Sequence, residues 1–326
     1  MDFYAFPVRM GDCFLVKDEE FHLLVDGGDG RTNIAKYISK ITNKLNVVIC
    51  THYDKDHIYG LIKLLRKILM GGTTITLDEV WLPDIFARIN VTKLSKNSKI
   101  VVSEEVKRRI YAIWENEERE ELSNEDIEKK LEIISELVWL CYHLSYRFGI
   151  RFRWFSFCDN IIDKEIDHNI YEINCKEYTR VIEPYDSDDE VIFHLTEINR
   201  ESLVFRYNNV QENIANILFT ADSNFKFCKG EEVKFNSGNT VVTVPHHGSS
   251  DKEHKPVYQN IANKDFFFVR SSERHSSRPC LEFKNINYNK RACTRCGVTG
   301  TDEQTVHLTN SNGAWSLDPL NSFCSC

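Results

Sequence analysis

The 326-residue chain lacks long apolar segments, low-complexity tracts and an excess of positive charge. It has no run of about eighteen apolar residues that could span a bilayer, and its start at residues 1–4 is acidic and aromatic, unlike a secretory signal. A formal charge of −8 and a pI near 5.8 disfavour general adhesion to nucleic acid or anionic membranes, because phosphate groups would be repelled. We therefore expect a cytoplasmic protein that does not bind membranes.

Disulfides are also not expected. The eleven cysteines are scattered in unlike settings, and several, such as Cys50, lie in apolar patterns where a reduced thiol acts as a small hydrophobe. Cys293 and Cys296, with Cys324 and Cys326, could form a four-sulfur zinc knot. The second pair lacks the spacing of the usual zinc ribbon, so reduced thiols without metal are the preferred interpretation.

The densest group of chemically active residues follows the apolar run at residues 45–50, which predicts a buried strand. His52 and Asp54 alternate on an extended backbone and point the same way, while Asp56 and His57 can supply a second cluster once the loop turns. Imidazole and carboxylate donors together suit ions such as Zn or Mn. The loop predicts two adjacent metal positions, and a polar loop with helix-capping aspartates is the alternative.

This loop, H-Y-D-K-D-H, resembles the H-x-H-x-D-H signature of the metallo-β-lactamase superfamily, with Asp54 where most members carry a second histidine. Together with V-P-H-H-G-S at residues 244–249, that replacement is similar to the subgroup typified by the hydrolase domain of the DNA-uptake protein ComEC. Residues 7–28 and 218–222 extend the resemblance in the family's order. It implies an α/β fold, the four-layer αββα sandwich, built as a single domain over residues 1–326.

The family pattern is absent between residues 86 and 190, where periodic apolar residues, as in 123–145, predict a helical insertion. A glutamate-rich side of this region indicates a solvated helix face. An insertion between the two halves of this fold would lie near the rim of the active site. We interpret residues 86–190 as a lid or as a module that binds a protein partner.

The resemblance implies how the metal ligands are completed. Asp222, at the end of an apolar strand, matches the aspartate whose two oxygens can serve one cation each. One histidine of the later double-histidine turn should join it: His246 is the predicted ligand, while His247 would contact substrate or another ligand. The predicted ligands of two divalent ions, Zn or Mn, are His52, Asp54, Asp56, His57, Asp222 and His246.

Other residues receive supporting or catalytic roles from the same resemblance. Asp26 is expected to support the metal loop, and Ser202 occupies the place where the wider superfamily has a third histidine. His194 could fill that gap, although a packed core histidine is the preferred interpretation. His275 could contact the scissile group. The predicted catalytic residues are Asp56, His247, Ser202 and His275.

The function implied is two-metal hydrolysis, in which the cations activate water and stabilise developing negative charge. The subgroup implies a phosphodiesterase or nuclease acting on nucleic acid or a nucleotide. The acidic composition favours a small or single-stranded substrate that reaches a local basic patch, predicted from Arg147, Arg151, Lys255, Arg270 and Arg274. One alternative is hydrolysis of ester, amide or peptide bonds. Another is a regulatory module that binds a partner through residues 86–190, for example in a multi-protein defence system.

Overall fold

Strands dominate the part of the chain that the computed structural model describes, which comprises residues 1–84, 124–177, 202–209, 215–230, 239–255, 257–258, 266–271, 278–297 and 303–326. In chain order the strands are β1 (Asp2–Ala5), β2 (Phe14–Asp18), β3 (Phe21–Val25), β4 (Lys44–Ile49), β5 (Thr76–Pro83), β6 (Arg151–Phe157), β7 (Lys164–Asp167), β8 (Ile170–Glu172), β9 (Cys175–Glu177), β10 (Phe205–Asn209), β11 (Ala215–Phe219), β12 (Thr240–Thr243), β13 (Phe267–Arg270), β14 (Arg291–Cys293), β15 (Val306–Ser311) and β16 (Ala314–Leu317). The α-helices are α1 (Ile34–Ile38), α2 (Lys55–Leu69), α3 (Asn124–Phe148) and α4 (Leu281–Lys284).

The described strands form two large sheets. One has the order β16-β15-β1-β2-β3-β4-β5-β6-β9, and the other has the order β14-β13-β12-β11-β10-β8-β7. Strands β3 to β6 run parallel in the first sheet, as β11 to β14 do in the second. Because parallel strands end at one edge of a sheet, the loops after them come together there, which is where ligands bind in open α/β sheets.

Alternate side chains of each strand point to the same face of its sheet. The core lies between the two sheets, where the side chains of their facing sides pack together. A single cluster of buried side chains contains residues of both sheets. Its rings include Trp81 and Phe155 of the first sheet and Phe205 of the second, with centroids 5.1 to 6.1 Å apart. The sheets are also joined by a hydrogen bond, since the hydroxyl of Tyr207 donates to the buried carboxylate of Asp18 at 2.7 Å.

Helices α1, α2 and α3 cover the outer face of the first sheet. The amphipathic pattern of α2 explains its position, because Ile58, Leu61 and Leu65 are buried while Lys63 and Arg66 face solvent. On the outer face of the second sheet, α4 and short 3₁₀ turns pack in the described part of the chain. The mixed α/β fold with two large sheets agrees with the expected metallo-β-lactamase fold, and the four-layer arrangement stays a prediction.

The described residues of the predicted insertion, 124–177, contain strands as well as helix. Helix α3 lies close to the predicted span 123–145, but β6 and β9 extend the first sheet and β7 and β8 extend the second. Residues 151–177 of the predicted helical insertion therefore form strands and not helix, as their alternating side chains favour. The lid or partner-binding role stays a prediction. No helix within the described ranges is both long and apolar enough to cross a bilayer.

Candidate metal centre

Histidine and aspartate side chains from distant parts of the chain meet beyond the ends of four parallel strands. Asp26 follows β3, His52 follows β4, Asp222 follows β11, and His247 lies in the turn after β12. The first turn of α2 adds His57. The parallel strands thus place at one edge residues that are up to 221 positions apart in sequence.

The first group of these side chains, the inner cluster, consists of Asp56, His57, Asp222 and His247. The Nε2 atoms of His57 and His247 are 3.2 Å apart, and Asp222 Oδ1 lies 3.4 Å from the former and 3.3 Å from the latter. Asp56 Oδ2 lies 3.4 Å from His247 Nε2. Two ligand atoms that are each about 2.1 Å from a tetrahedral ion are about 3.4 Å apart. The ligand atoms of His57, His247 and Asp222 therefore already have the spacing of ligands of one ion, with Asp56 beside His247.

The second group, the outer cluster, consists of His52, Asp54, Asp222 and His246. Asp222 Oδ2 lies 3.8 Å from His52 Nε2 and 3.5 Å from His246 Nε2, and Asp54 Oδ2 is 3.9 Å from His52 Nε2. Asp54 occupies the N-cap position of α2 without a capping hydrogen bond from its side chain. This observation weighs against the alternative of a purely helix-capping loop.

Both clusters contain buried polar atoms that fit a bound cation. Neither His52 Nε2 nor Asp222 Oδ1 has a hydrogen-bond partner in the described part of the protein. Buried polar atoms are normally paired, so one unpaired nitrogen in the outer cluster and one unpaired oxygen in the inner cluster fit positions for bound ligands. A divalent ion that accepts nitrogen and carboxylate oxygen fits this donor set.

The double-histidine turn directs its two rings to opposite oxygens of Asp222. His246 and His247 both have left-handed backbone conformations, with φ of 46° and 52°, which is strained for residues other than glycine and typical of functional sites. His247 is fully buried in the inner cluster, whereas Nε2 of His246 also lies 2.9 Å from Nη2 of Arg278. The structure therefore places His247 in the inner cluster and His246 between Asp222 and Arg278, and which of the two binds a metal ion stays a prediction.

Asp26 lies behind the metal loop, as the resemblance implied. Its carboxylate accepts hydrogen bonds from the backbone N–H of Thr51 at 2.9 Å and from the Thr51 hydroxyl at 2.7 Å, and it lies 2.8 Å from Nδ1 of His57. The hydroxyl of Thr51 is also 3.0 Å from Nδ1 of His52. Contacts at Nδ1 leave Nε2 of both histidines directed into the site, which is how carboxylates behind metal-binding histidines orient them.

Asp12 plays the same part for His247, and sequence reasoning gave it no role. Its buried Oδ1 lies 3.0 Å from Nδ1 of His247, and the fully buried Arg270 donates from Nε to the carbonyl of His247 at 2.7 Å. His254 is buried too, with Nε2 3.1 Å from the carbonyl oxygen of Asp222. The only sequence signal was the adjacency of Asp12 to glycine in a patch that carries the family resemblance.

Carboxylates make the inner cluster attractive to positive charge. Burial alone would lower the pKa of His247, but Asp222 and Asp12 raise it to about 9. For His57, burial again acts to lower the pKa, while Asp222 and Asp26 raise it well above its usual value. Burial acts to raise the pKa of Asp222, yet the neighbouring histidines hold it well below its usual range. Two facing nitrogens 3.2 Å apart can share one proton, and a bound cation would have to displace it.

Ser202 is the only one of the remaining predicted catalytic residues that lies within the described part of the chain. Ser202 is fully buried beside the metal loop, where the N–H of Leu203 donates to the carbonyl of Thr51 at 3.0 Å. Its hydroxyl has no hydrogen-bond partner among the residues that the structure describes. His275 and His194 both lie outside the described residues.

The predicted basic patch is not supported by the contacts of its members. Arg147 donates to a main-chain carbonyl at the end of α2, Arg151 pairs with a buried glutamate of β5, and Lys255 pairs with a glutamate of α4. Arg270 is fully buried behind the double-histidine turn. Arg274 lies outside the described residues. The four described basic side chains therefore each contact a different part of the protein. The sequence could not reveal these contacts, because the partners are distant along the chain.

Comparison with known families agrees with the geometry. A search of the curated proteins found no match to the chain. The family model of the metallo-beta-lactamase superfamily matches residues 6–123, which include the metal loop but neither Asp222 nor His247. The buried side chains of Asp12, His57, Asp222 and His247, whose ligand atoms lie within 4.8 Å of one another, add a possible metal site to this match. Residues 6–123 are thus similar to the metallo-beta-lactamase superfamily, and this similarity implies a metal-dependent hydrolase.

Proposed function

We propose that the protein is a hydrolase with a dinuclear metal centre that cleaves phosphodiester bonds in a nucleotide or in single-stranded nucleic acid. The observation that carries the dinuclear centre is the position of Asp222, each of whose oxygens faces two imidazole nitrogens at 3.3 to 3.8 Å. A carboxylate with such surroundings is suited to serve one ion with each oxygen.

The proposed ligands follow from the two clusters. Asp56, His57, Asp222 and His247 would hold the inner ion, and His52, Asp54 and Asp222 would hold the outer one. When bound, such a pair of ions lowers the pKa of water towards neutrality and stabilises the negative charge that develops during hydrolysis. Zn and Mn are the ions that we expect.

The side chains around the ligands fix their protonation and direction. Asp26 and Asp12 face Nδ1 of His57 and His247, so the Nε2 lone pairs point into the site once the shared proton is displaced. Burial acts to raise the pKa of Asp56, but its hydrogen bond with His247 lowers it below the usual value. Asp56 is therefore ionised at neutral pH and can accept a hydrogen bond from the attacking water, which would orient it.

Arg278 supports an anionic substrate. Its guanidinium lies 2.9 Å from Nε2 of the partly exposed His246, on the outer side of Asp222. A guanidinium binds the negatively charged oxygens of a phosphate better than it binds a neutral ester or amide. The similarity to the ComEC-like subgroup favours phosphodiesters for the same site. The net charge of −8 disfavours long duplexes, so we propose a nucleotide or a short single strand as the substrate.

A substrate panel tests this function. Purified protein supplied with Zn or Mn would be incubated with bis-p-nitrophenyl phosphate, single-stranded DNA, RNA, p-nitrophenyl acetate and a peptide library. We expect cleavage of the phosphodiesters and its loss in Asp222→Ala. Cleavage of esters or peptides alone would overturn the substrate class, and full activity of Asp222→Ala on every substrate would overturn the proposed centre.

Arg278→Gln tests the anionic substrate separately. We expect KM for bis-p-nitrophenyl phosphate to rise by about tenfold or more, because a charge-assisted hydrogen bond contributes roughly 1.5–3 kcal/mol. The rate with p-nitrophenyl acetate should change little. Arg66→Gln is the matched control, since Arg66 is exposed and pairs with Glu136 on the surface of α2 and α3. An equal loss with both substrates would show that Arg278 does not act through substrate charge.

A further inference from the structure

Four cysteines from two separate segments converge at the end of the second sheet. Cys293 ends β14, Cys296 lies in the turn after it, and Cys324 and Cys326 come from the segment after β16. The four sulfur atoms all lie within 4.8 Å of one another, and the first three side chains are fully buried. This group, the cysteine cluster, contains none of the residues of the candidate metal centre.

The spacing of the sulfur atoms fits one tetrahedral ion. The Sγ atoms of Cys293 and Cys326 are 3.9 Å apart, those of Cys296 and Cys324 are 3.8 Å apart, and those of Cys296 and Cys326 are 3.3 Å apart. Sulfur ligands about 2.3 Å from a tetrahedral zinc ion are about 3.8 Å apart, whereas a disulfide requires about 2.0 Å. A space bounded by four atoms this close holds one ion and is too small for a multinuclear cluster.

The backbone around the cysteine cluster is fixed by bonds that do not involve sulfur. The side chain of Gln304 joins both segments: its Nε2 lies 3.0 and 2.8 Å from the carbonyl oxygens of Cys293 and Cys296 and 2.9 Å from that of Ser322. Its Oε1 accepts a hydrogen bond from the N–H of Ser322 at 2.9 Å. A half-buried amide that holds both ligand-bearing segments prepares the site before any ion binds.

A bridge between the segments adds to this scaffold. Ala292 and Phe323 form an antiparallel β-bridge, and the N–H of Cys324 donates to the carbonyl of Arg291 at 2.9 Å. The segment that carries Cys324 and Cys326 therefore lies along β14, the edge strand of the second sheet. The unusual C-x-C spacing follows from this position, because alternate residues of an extended segment point to the same side.

We propose that the cysteine cluster binds one structural zinc ion through four thiolates. Four sulfur ligands with no open position are typical of structural rather than catalytic zinc. The ion would fasten the segment 322–326 to the edge of the second sheet. This proposal is independent of the proposed function, because the candidate metal centre contains no cysteine.

A zinc ion in the cysteine cluster would help to hold the double-histidine turn in position. The N–H of Thr294, between the first two cysteines, donates to the carbonyl of Arg270 at 3.1 Å. Arg270 in turn donates from its guanidinium to the carbonyl of His247. Fixing β14 and its turn therefore supports the strand that holds the double-histidine turn in place.

Cobalt substitution and elemental analysis test the proposal. Protein purified under reducing conditions should contain about one zinc ion per chain that survives in Asp222→Ala and is lost in Asp222→Ala/Cys296→Ala. After replacement of zinc by cobalt, the wild type should show an intense thiolate-to-cobalt charge-transfer band. The candidate metal centre cannot produce this band, so its presence reports on the cysteine cluster alone.

Cys175→Ala is the matched control, because Cys175 is a fully buried thiol outside the cluster. It should keep both the zinc and the charge-transfer band. If Cys296→Ala does not fold, the cobalt spectrum of the wild type decides the question. Absence of the band, or disulfides among the four cysteines in untreated protein by mass spectrometry, would overturn the proposal.

Discussion

Gly60 is the position where a single added carbon atom tests the architecture of the metal loop. It lies in the second turn of α2 and packs directly on Gly27, which follows Asp26. The N–H of Gly27 donates to the carbonyl of His57 at 2.8 Å, and the N–H of Gly60 donates to the carbonyl of Gly28 at 2.9 Å. The helix that carries His57 is thus held against the turn that carries its supporting carboxylate.

An alanine Cβ at position 60 would lie 1.6 Å from the carbonyl oxygen of Gly27 and 2.4 Å from its carbonyl carbon. Non-bonded contacts need about 3.5 Å, so α2 or the turn must move by about 2 Å. That movement would break the 2.8 Å contact between His57 and Asp26 and disperse the inner cluster. Loss of a supporting contact of this kind typically lowers metal affinity by about 10–100-fold.

The sign of the change in unfolding free energy caused by Gly60→Ala distinguishes helix propensity from overpacking. Helix propensity alone predicts that Gly60→Ala stabilises the protein by about 1 kcal/mol. Overpacking of a filled site costs about 1–3 kcal/mol, and a clash with backbone atoms lies at the upper end of that range. We therefore expect net destabilisation by about 1–2 kcal/mol.

The assay is urea denaturation with metal analysis of the same preparations. Gly72→Ala is the control, because its added Cβ would come no closer than 3.6 Å to any atom. We expect Gly72→Ala to keep its metal content and to change stability by less than about 0.5 kcal/mol. A Gly60→Ala protein as stable as the wild type with full metal content would refute the close packing of α2 on the turn.

Three further predictions concern the centre and the core. Asp222→Asn keeps the shape of the side chain but removes the carboxylate charge that both clusters share. Metal content should therefore fall, and the rate of hydrolysis should drop by more than about a hundredfold. Unchanged metal content would contradict the role of Asp222 as a shared ligand. Since the pKa of His247 is raised to about 9, metal must displace a proton below that pH, and apparent affinity measured by calorimetry should rise about tenfold per unit between about pH 7 and 9. In metal-free protein the sign is opposite, because the protonated form stabilises the fold below the unfolded pKa, and stability should fall as pH rises through about 9; no trend in either titration would count against the pKa assignment. Tyr207→Phe removes the 2.7 Å hydrogen bond to the buried carboxylate of Asp18 and should lower the free energy of unfolding, measured by urea denaturation, by about 1–3 kcal/mol. Metal content should not change. A fall in metal content would argue against a role confined to joining the sheets.

The local part of the site could be predicted from the sequence because it is encoded by spacing along one segment. The apolar run before His52 forms β4, the residues after Asp54 form α2, and the acid after β3 lies behind the loop. Strand and helix periodicities fix which side chains of an element point the same way. The amphipathic helix, the metal loop and the direction of its histidines follow from that rule.

What joins distant segments was decided only by the tertiary structure. Asp12 and His247 are 235 residues apart and His57 and His247 are 190 apart, so no spacing rule relates them. The different positions of His246 and His247 depend on two left-handed backbone conformations and on the contact of His246 with Arg278. The cysteine cluster likewise depends on a segment lying along β14. Sequence periodicity sets the direction of side chains within an element, but the packing of the sheets determines which elements meet.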